Sequence, residues 1–351
     1  MKKILIALVL MLSEFSYCQF AEDYLTNGIK NYSQTTQDYL INGIKKSDLE
    51  DYSGAIEDFE KVIELEPDNF LAYFLRGTSL TFLEDYQSAI TDFSKVIEIN
   101  SKFSRGYSNR GVAKIEYKDY QGAITDLSKA IELKSTNFND YYNRGRAKIF
   151  LEDYRGAIAD YSKSIELNPN NSDSYYNRGL AKNNLEDFQG AITDYGKSIA
   201  INPNNSEAFY MRGITKFNLK DCKGAISDYT KSIAINPNNS YSYFSRGACK
   251  SILEDYKGAI ADYTKAIEFE ANDSNTYYYR GVSKANLNDY SGAITDYSKA
   301  IAINPNFAEL YLNRGLSKLN INQKDSGCLD LSKAGELGDG DAYELIKKYC
   351  N

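Results

Sequence analysis

The sequence predicts an all-α fold, a solenoid of about nine antiparallel helix pairs. Three observations predict it. Gly43, Gly77, Gly111, Gly145, Gly179, Gly213, Gly247, Gly281 and Gly315 recur with a period of 34 residues. Ala55, Ala89, Ala123, Ala157, Ala191, Ala225, Ala259 and Ala293 keep the same period. All five prolines, Pro67, Pro169, Pro203, Pro237 and Pro305, fall at one position of the unit. A fixed period over many copies marks a repeat array, because one helix pair cannot form a core and must bury its apolar face on the next.

The elements follow in chain order. Residues 1–18 read as a secretory signal: Lys2 and Lys3, an apolar run from Ile4 to Leu12, then a more polar stretch with small Ser16 and Cys18 before Gln19. The run is too short to span a bilayer. Lipid anchoring through Cys18 is the second reading, since Tyr17 is bulky where such signals carry a small residue. Export to the periplasm or outside the cell is expected. Residues 19–35 are a capping segment: "DYLTNGIK" from Asp23 is a near-copy of "DYLINGIK" from Asp38, which opens the first unit. Residues 36–340 hold nine tandem units. Within Asn139–Asn171, a first helix is expected from Asp140 to Leu151. Asp153 then caps a second helix carrying Ala157, Tyr161, Ser164 and Ile165 at helical spacing. Pro169 ends it and Ser172 is available to cap the next. Residues 341–351 add a final helix with one charged side.

The series Tyr141, Gly145, Ala157, Tyr161, Ser164, Pro169 resembles the tetratricopeptide repeat, and it recurs nearly intact from Tyr39 to Ile346. The resemblance implies a right-handed superhelix whose first helices line a concave groove, and a non-enzymatic scaffold that binds a protein or peptide partner there. The departure from the family is charge. Arg110, Arg144 and Arg178, with their equivalents in the other units, stand where the family usually has Leu, and Lys148 and its equivalents stand four residues on. Asp126, Asp160 and Asp194 face them from the second helices. A catalytic constellation need occur only once, whereas this trio recurs in nearly every unit. It reads as a structural ladder of semi-buried ion pairs.

Composition narrows function further. His is absent, which removes the commonest general base and metal ligand. The net charge is −7 and there are no basic runs, which argues against nucleic acid and anionic membranes as partners. No metal-site cysteine spacing and no phosphate loop occur, so neither a cofactor nor enzymatic activity is expected. No transmembrane span is expected after signal removal. Oligomeric state is left open. Cys328 and Cys350 frame the last repeat, at the start of one helix and the end of its antiparallel neighbour. A disulfide between them is geometrically feasible in an oxidising compartment. Cys222 and Cys249 read as buried free thiols.

The candidate binding residues lie on the first helices. Asn109, Asn143, Asn177 and Asn313 sit next to the ladder arginines, and Tyr142, Tyr176, Tyr210, Phe244 and Tyr278 occupy the preceding position in their own units. In the resembling family, asparagines at this position hydrogen-bond an extended peptide backbone, and an amide can donate and accept at once. The rival reading is a glycan-binding module of the cell envelope, since sugars also stack on tyrosine rings and bond to asparagine.

Overall fold

The structure is a computed structural model that describes residues 33–134 and 136–350. The proposed signal at 1–18, Cys18 and the capping segment up to residue 32 lie outside the described residues. Among the described residues every regular element is an α-helix, and no helix is long and apolar enough to cross a membrane.

The chain divides into two compact units, one ending at Asn170 and one beginning at Asn171. The first holds α1 (Gln34–Asp48), α2 (Tyr52–Leu65), α3 (Phe70–Phe82), α4 (Tyr86–Ile99), α5 (Ser104–Glu116), α6 (Tyr120–Leu133), α7 (Phe138–Phe150) and α8 (Tyr154–Leu167). The second holds α9 (Ser172–Asn184), α10 (Phe188–Ile201), α11 (Ser206–Asn218), α12 (Cys222–Ile235), α13 (Ser240–Ile252) and α14 (Tyr256–Phe269). It continues with α15 (Ser274–Asn286), α16 (Tyr290–Ile303), α17 (Ala308–Asn320), α18 (Lys324–Glu336) and α19 (Ala342–Tyr349). In each unit, consecutive helices pair and each pair packs on the next, as a tetratricopeptide-repeat solenoid. First helices also touch the first helix of the next pair: α1–α3–α5–α7 in one unit, α9–α11–α13–α15–α17 in the other.

Local chemistry sets both ends of each pair. The first helix stops at a residue in left-handed conformation, Glu152 at φ 59° in α7. There the Glu152 N–H bonds the Ile149 carbonyl at 3.0 Å and the Asp153 N–H bonds the Lys148 carbonyl at 2.9 Å. This is a helix-terminating loop of two paired bonds, and the position is filled by Glu, Lys or Asn rather than by glycine in every pair. Asp153 immediately starts the next helix, its carboxylate accepting the Gly156 N–H at 2.9 Å. The connection after the second helix differs from the sequence expectation. Asn171, not Ser172, caps α9, accepting the Ser174 N–H at 2.8 Å, and Ser172 is already the first helical residue. An asparagine in extended conformation reaches its third neighbour's N–H directly, so the serine is displaced inward by one place.

The core is thin and regular. Ala157 and Tyr161 are wholly buried between α7 and α8. A Cβ added to Gly145 would stand 2.8 Å from the Tyr161 ring, so the close approach of the two helices needs glycine there. At the C-terminal end, Cys328 and Cys350 form a disulfide that ties α18 to the end of α19.

Candidate functional site

From Arg110 onward, the trio of charges builds a recurrent clamp within each pair. Arg144 forks onto Asp160, with Nη2 to Oδ1 at 2.6 Å and Nε to Oδ2 at 3.0 Å, and Lys148 reaches Oδ2 at 2.7 Å. The structure brings together Arg110 with Asp126 and Arg178 with Asp194 in the same way, each at 2.7 Å. Every Asp of these three is buried and satisfied on both oxygens by charge-assisted bonds, so its burial leaves neither oxygen without a partner. The arginine also lies over an aromatic ring of its own helix, 5.6 Å from the Tyr141 centroid for Arg144. Its third nitrogen reaches the preceding pair: Arg144 Nη1 donates to Ser128 Oγ at 3.0 Å, Arg110 to Ser94 at 3.0 Å and Arg246 to Thr230 at 3.0 Å. One side chain therefore joins its own pair internally and fastens that pair to its neighbour.

Two departures test the clamp from inside. In α3 the lysine position is Leu80, so Asp92 has only the Arg76 fork, and burial pushes its carboxyl upward in spite of that arginine. Opposite Arg212 stands Gly196, where most pairs carry Ser or Thr and Arg76 meets Glu60, and the third nitrogen has no hydroxyl to meet.

The predicted binding residues do not form an open ladder. Asn143 is only 4% exposed and accepts from Arg146 Nη1 at 3.2 Å. Arg146 in turn pairs with Glu116 at 3.0 Å, so Asn143 belongs to a buried cluster rather than to a peptide-reading row. Asn177 and Asn313 turn back on their own helices, donating to the carbonyls of Asp173 and Glu309 at 2.8 Å. Asn109 is partly exposed. The aromatic series is also largely packing. Tyr142 and Tyr278 are each 9% exposed. Tyr142, Tyr176, Tyr210, Phe244 and Tyr278 lean on Tyr161, Tyr195, Tyr229, Tyr263 and Tyr297, with ring centroids 5.7–6.1 Å apart. The physical reason is position: a residue one place before the asparagine points between the two helices of its pair as much as outward.

Where the first-helix face does open is a place the sequence reading passed over. On α13 three outward positions are small: Ser245, Ala248 and Ser251. One repeat earlier they are Met211, Ile214 and Phe217, and one repeat later Tyr279, Val282 and Ala285. The dip in side-chain size leaves a cavity of about 360 Å³ lined by Ile214, Phe217, Tyr229, Phe244, Ser245, Ala248, Ser251, Ile252, Tyr263 and Tyr279. That lies in the range of ligand pockets, roughly 300–1,000 Å³. Ile252 at its edge is 59% exposed. Tyr263 is fully buried, and its hydroxyl has no hydrogen-bond partner. Burial raises its pKa, so the hydroxyl stays a neutral donor. A second cavity of about 350 Å³ shares Phe244 and is lined by Ser240, Tyr241, Ala266, Glu270, Asn272, Asp273, Asn275 and Thr276. Comparing volumes at positions 34 apart would have pointed to the first of them.

Comparison with known proteins places this geometry. Models of the TPR repeat match residues 151–185 and 283–321, and models of the tetratricopeptide repeat match residues 43–103, 172–205, 206–239 and 228–261. No curated protein matches significantly. Among solved structures, the C-terminal part of a TPR repeat-containing protein from Cytophaga hutchinsonii is 21% identical. It covers 68% of this chain and 98% of its own, with a TM-score of 0.60. A tetratricopeptide repeat protein from Parabacteroides merdae is 21% identical and covers 71% of this chain and 99% of its own, with a TM-score of 0.50. MamA is 26% identical over 49% of this chain and 94% of its own, with a TM-score of 0.47. The fold is that of a protein–protein interaction scaffold. With the repeat matched in both units and paired helices stacking within each, the chain belongs to the tetratricopeptide-repeat family.

Proposed function

We propose that the protein is a non-enzymatic scaffold that holds a peptide segment or partner protein on the first-helix face of its repeats. The observation that carries this reading is the apolar cavity on α11, α13 and α15, with Ile252 and Tyr279 exposed beside it. Apolar side chains left in water at the rim of an apolar cavity favour a partner that covers them. The charged trios add no rival chemistry, since each is closed on itself by charge-assisted bonds. Glycan binding draws less support, because Tyr142 and Tyr278 keep little ring surface open to a sugar. We further propose export to the cell envelope or beyond. The signal-like pattern of residues 1–18 supports it, as does the Cys328–Cys350 disulfide, a bond that persists in oxidising compartments.

The test is a paired capture from envelope and secreted fractions. The native chain and an Ile252→Lys/Tyr279→Lys variant serve as baits, each first shown to be folded by circular dichroism, with bound proteins identified by mass spectrometry. A protein held by the native bait and lost from the variant is the expected result. A partner retained equally by both would move binding off this face, and no partner on either would overturn the scaffold reading for those fractions.

A further inference from the structure

Helix pairs dock on their neighbours through a repeated contact. Tyr120, the first residue of α6, packs with Ala147 of α7 in one buried cluster. The same spacing of 27 residues sets an aromatic ring against a small residue at Phe188 and Thr215, and again at Tyr256 and Ser283. At one junction both members depart together. Cys222 takes the aromatic place at the start of α12, and Cys249 takes the small place in α13. They are the two free cysteines among the described residues, both are buried, and they share one cluster with Ala225 and Tyr229.

Packing alone does not account for this exchange. A ring is lost and a single sulfur gained, so two thiols fill less space than the ring and small residue of the other junctions. Two unrelated substitutions would have no reason to fall on opposite sides of one contact. The Cys249 thiol is pushed up to about 12, first by burial and then by the Cys222 thiol beside it. A thiolate is disfavoured in that cluster, whereas a disulfide is neutral and leaves no charge to bury. Cys222 heads its helix, where the end of the first turn can adjust to bring the sulfurs to bonding distance.

We infer that Cys222 and Cys249 are a disulfide site, and that the bond, closed under oxidising conditions, fastens α12 to α13 beside the apolar cavity. A small disulfide of the glutathione type serves as oxidant. One cysteine thiolate attacks it and releases a first glutathione thiol; the other then attacks the mixed disulfide and releases the second. The two cysteines give up two protons and two electrons, and one glutathione disulfide becomes two thiols. Cys222 is the reachable partner, 7% exposed against 0% for Cys249. The raised Cys249 thiol makes closure slow once the chain has folded, so the bond forms during folding. Its place gives it a role at the cavity. Tyr229 lines the cavity and shares the cluster of both cysteines, and Ala248 and Ser251, which flank Cys249 in α13, line it too.

The test refolds the reduced full chain in a mixture of reduced and oxidised glutathione, blocks the remaining thiols in denaturant, and maps disulfides by mass spectrometry of unreduced peptides. Closure of Cys328–Cys350 is the internal control. Because the oxidant is supplied, the outcome does not depend on where the chain resides. A linked peptide pair carrying Cys222 and Cys249 is expected in nearly every molecule that has closed the control bond. Amide exchange in α12 and α13 should then be about tenfold slower than in chain refolded with reductant. That difference should vanish in Cys249→Ser, a substitution the position tolerates, since Ser79, Ser283 and Ser317 occupy it in other repeats. Recovery of the two cysteines as blocked thiols, as glutathione adducts or in bonds to other cysteines would overturn the site. A closed bond that leaves exchange in α12 and α13 unchanged would overturn its fastening role. The peptide map uses only the native sequence, so it decides the matter even where the variant folds poorly.

Discussion

Asp140 stands where most repeats carry a small residue: Ala72, Gly106, Ser174, Ala208 and Ser242 are its equivalents. It is 2% exposed, and burial lifts its carboxyl to about 6, against the pull of the Ser108 hydroxyl donating at 2.6 Å. A carboxyl whose folded pKa exceeds its unfolded value binds its proton more tightly when folded. Stability therefore falls as pH rises from about 4 through 6, at a cost of up to about 3 kcal/mol at neutral pH. Asp140→Asn should raise the melting temperature at pH 7 and gain little at pH 4; equal gains at both would show that the carboxyl is not the titrating group. Asp160 makes the opposite case. Asp160→Ala strands Arg144 and Lys148 and should cost about 3–5 kcal/mol. Lys163→Ala, which removes only an exposed pair with Glu166, should leave the melting curve almost unmoved. Similar losses in the two variants would mean the clamp is worth no more than a surface pair. The thiol of Cys249 is buried and pushed up to about 12 by that burial, so reduced native protein should resist alkylation at Cys249 until denaturant is added.

Helices were the most legible part of the sequence because each is punctuated twice. The aspartate cap and the glycine and alanine of close approach repeat so strictly that the α7–α8 pair could be placed to within a residue or two. What escaped was the cap of α9, where Asn171 and Ser172 are adjacent and both are good caps; only backbone conformation decides between them. At this scale the missing hydroxyl opposite Arg212 is testable. Gly196→Ser gives α10 a better helix former and offers Arg212 the bond that Arg246 and Arg314 make to Thr230 and Ser298. It should stabilise the protein by about 1 kcal/mol in urea titration. Gly145→Ala should do the reverse by about 1–3 kcal/mol, since its Cβ meets a Tyr161 ring with nowhere to go.

Across the molecule, the repeat made the fold readable while concealing the candidate site. Periodicity reports what every unit shares, and Arg144, Asp160 and Gly145 are shared. The candidate cavity lies where units differ, and Ser245, Ala248 and Ser251 are ordinary residues until they are set beside their counterparts one period away. Asn143 and Tyr142 misled for the same reason: recurrence at a position signals packing as readily as recognition. An array held by nearest-neighbour contacts also loosens first at its ends. The Cys328–Cys350 bond closes the last one, and over a separation of 22 residues a cross-link contributes about 3 kcal/mol to the segment it closes. Reduction should speed amide exchange in α18 and α19 and leave α9 and α10 unchanged, as read by hydrogen-exchange mass spectrometry. Uniform acceleration would show the units to be one cooperative block.

The arginine that reaches back to a hydroxyl of the preceding pair makes whole repeats interchangeable. Arg280 now meets Thr264; excision of residues 240–273 would bring it to Thr230, the same residue type at the same place in its helix. The splice would re-form its own seam. Tandem genes lengthen and shorten by unequal crossing-over between like copies, and a chain joined in this way can absorb such events without redesign, provided the gain or loss is a full 34 residues. The excised copy would take the cavity with it, so a lineage could lose that cavity and keep a folded frame on which to evolve another.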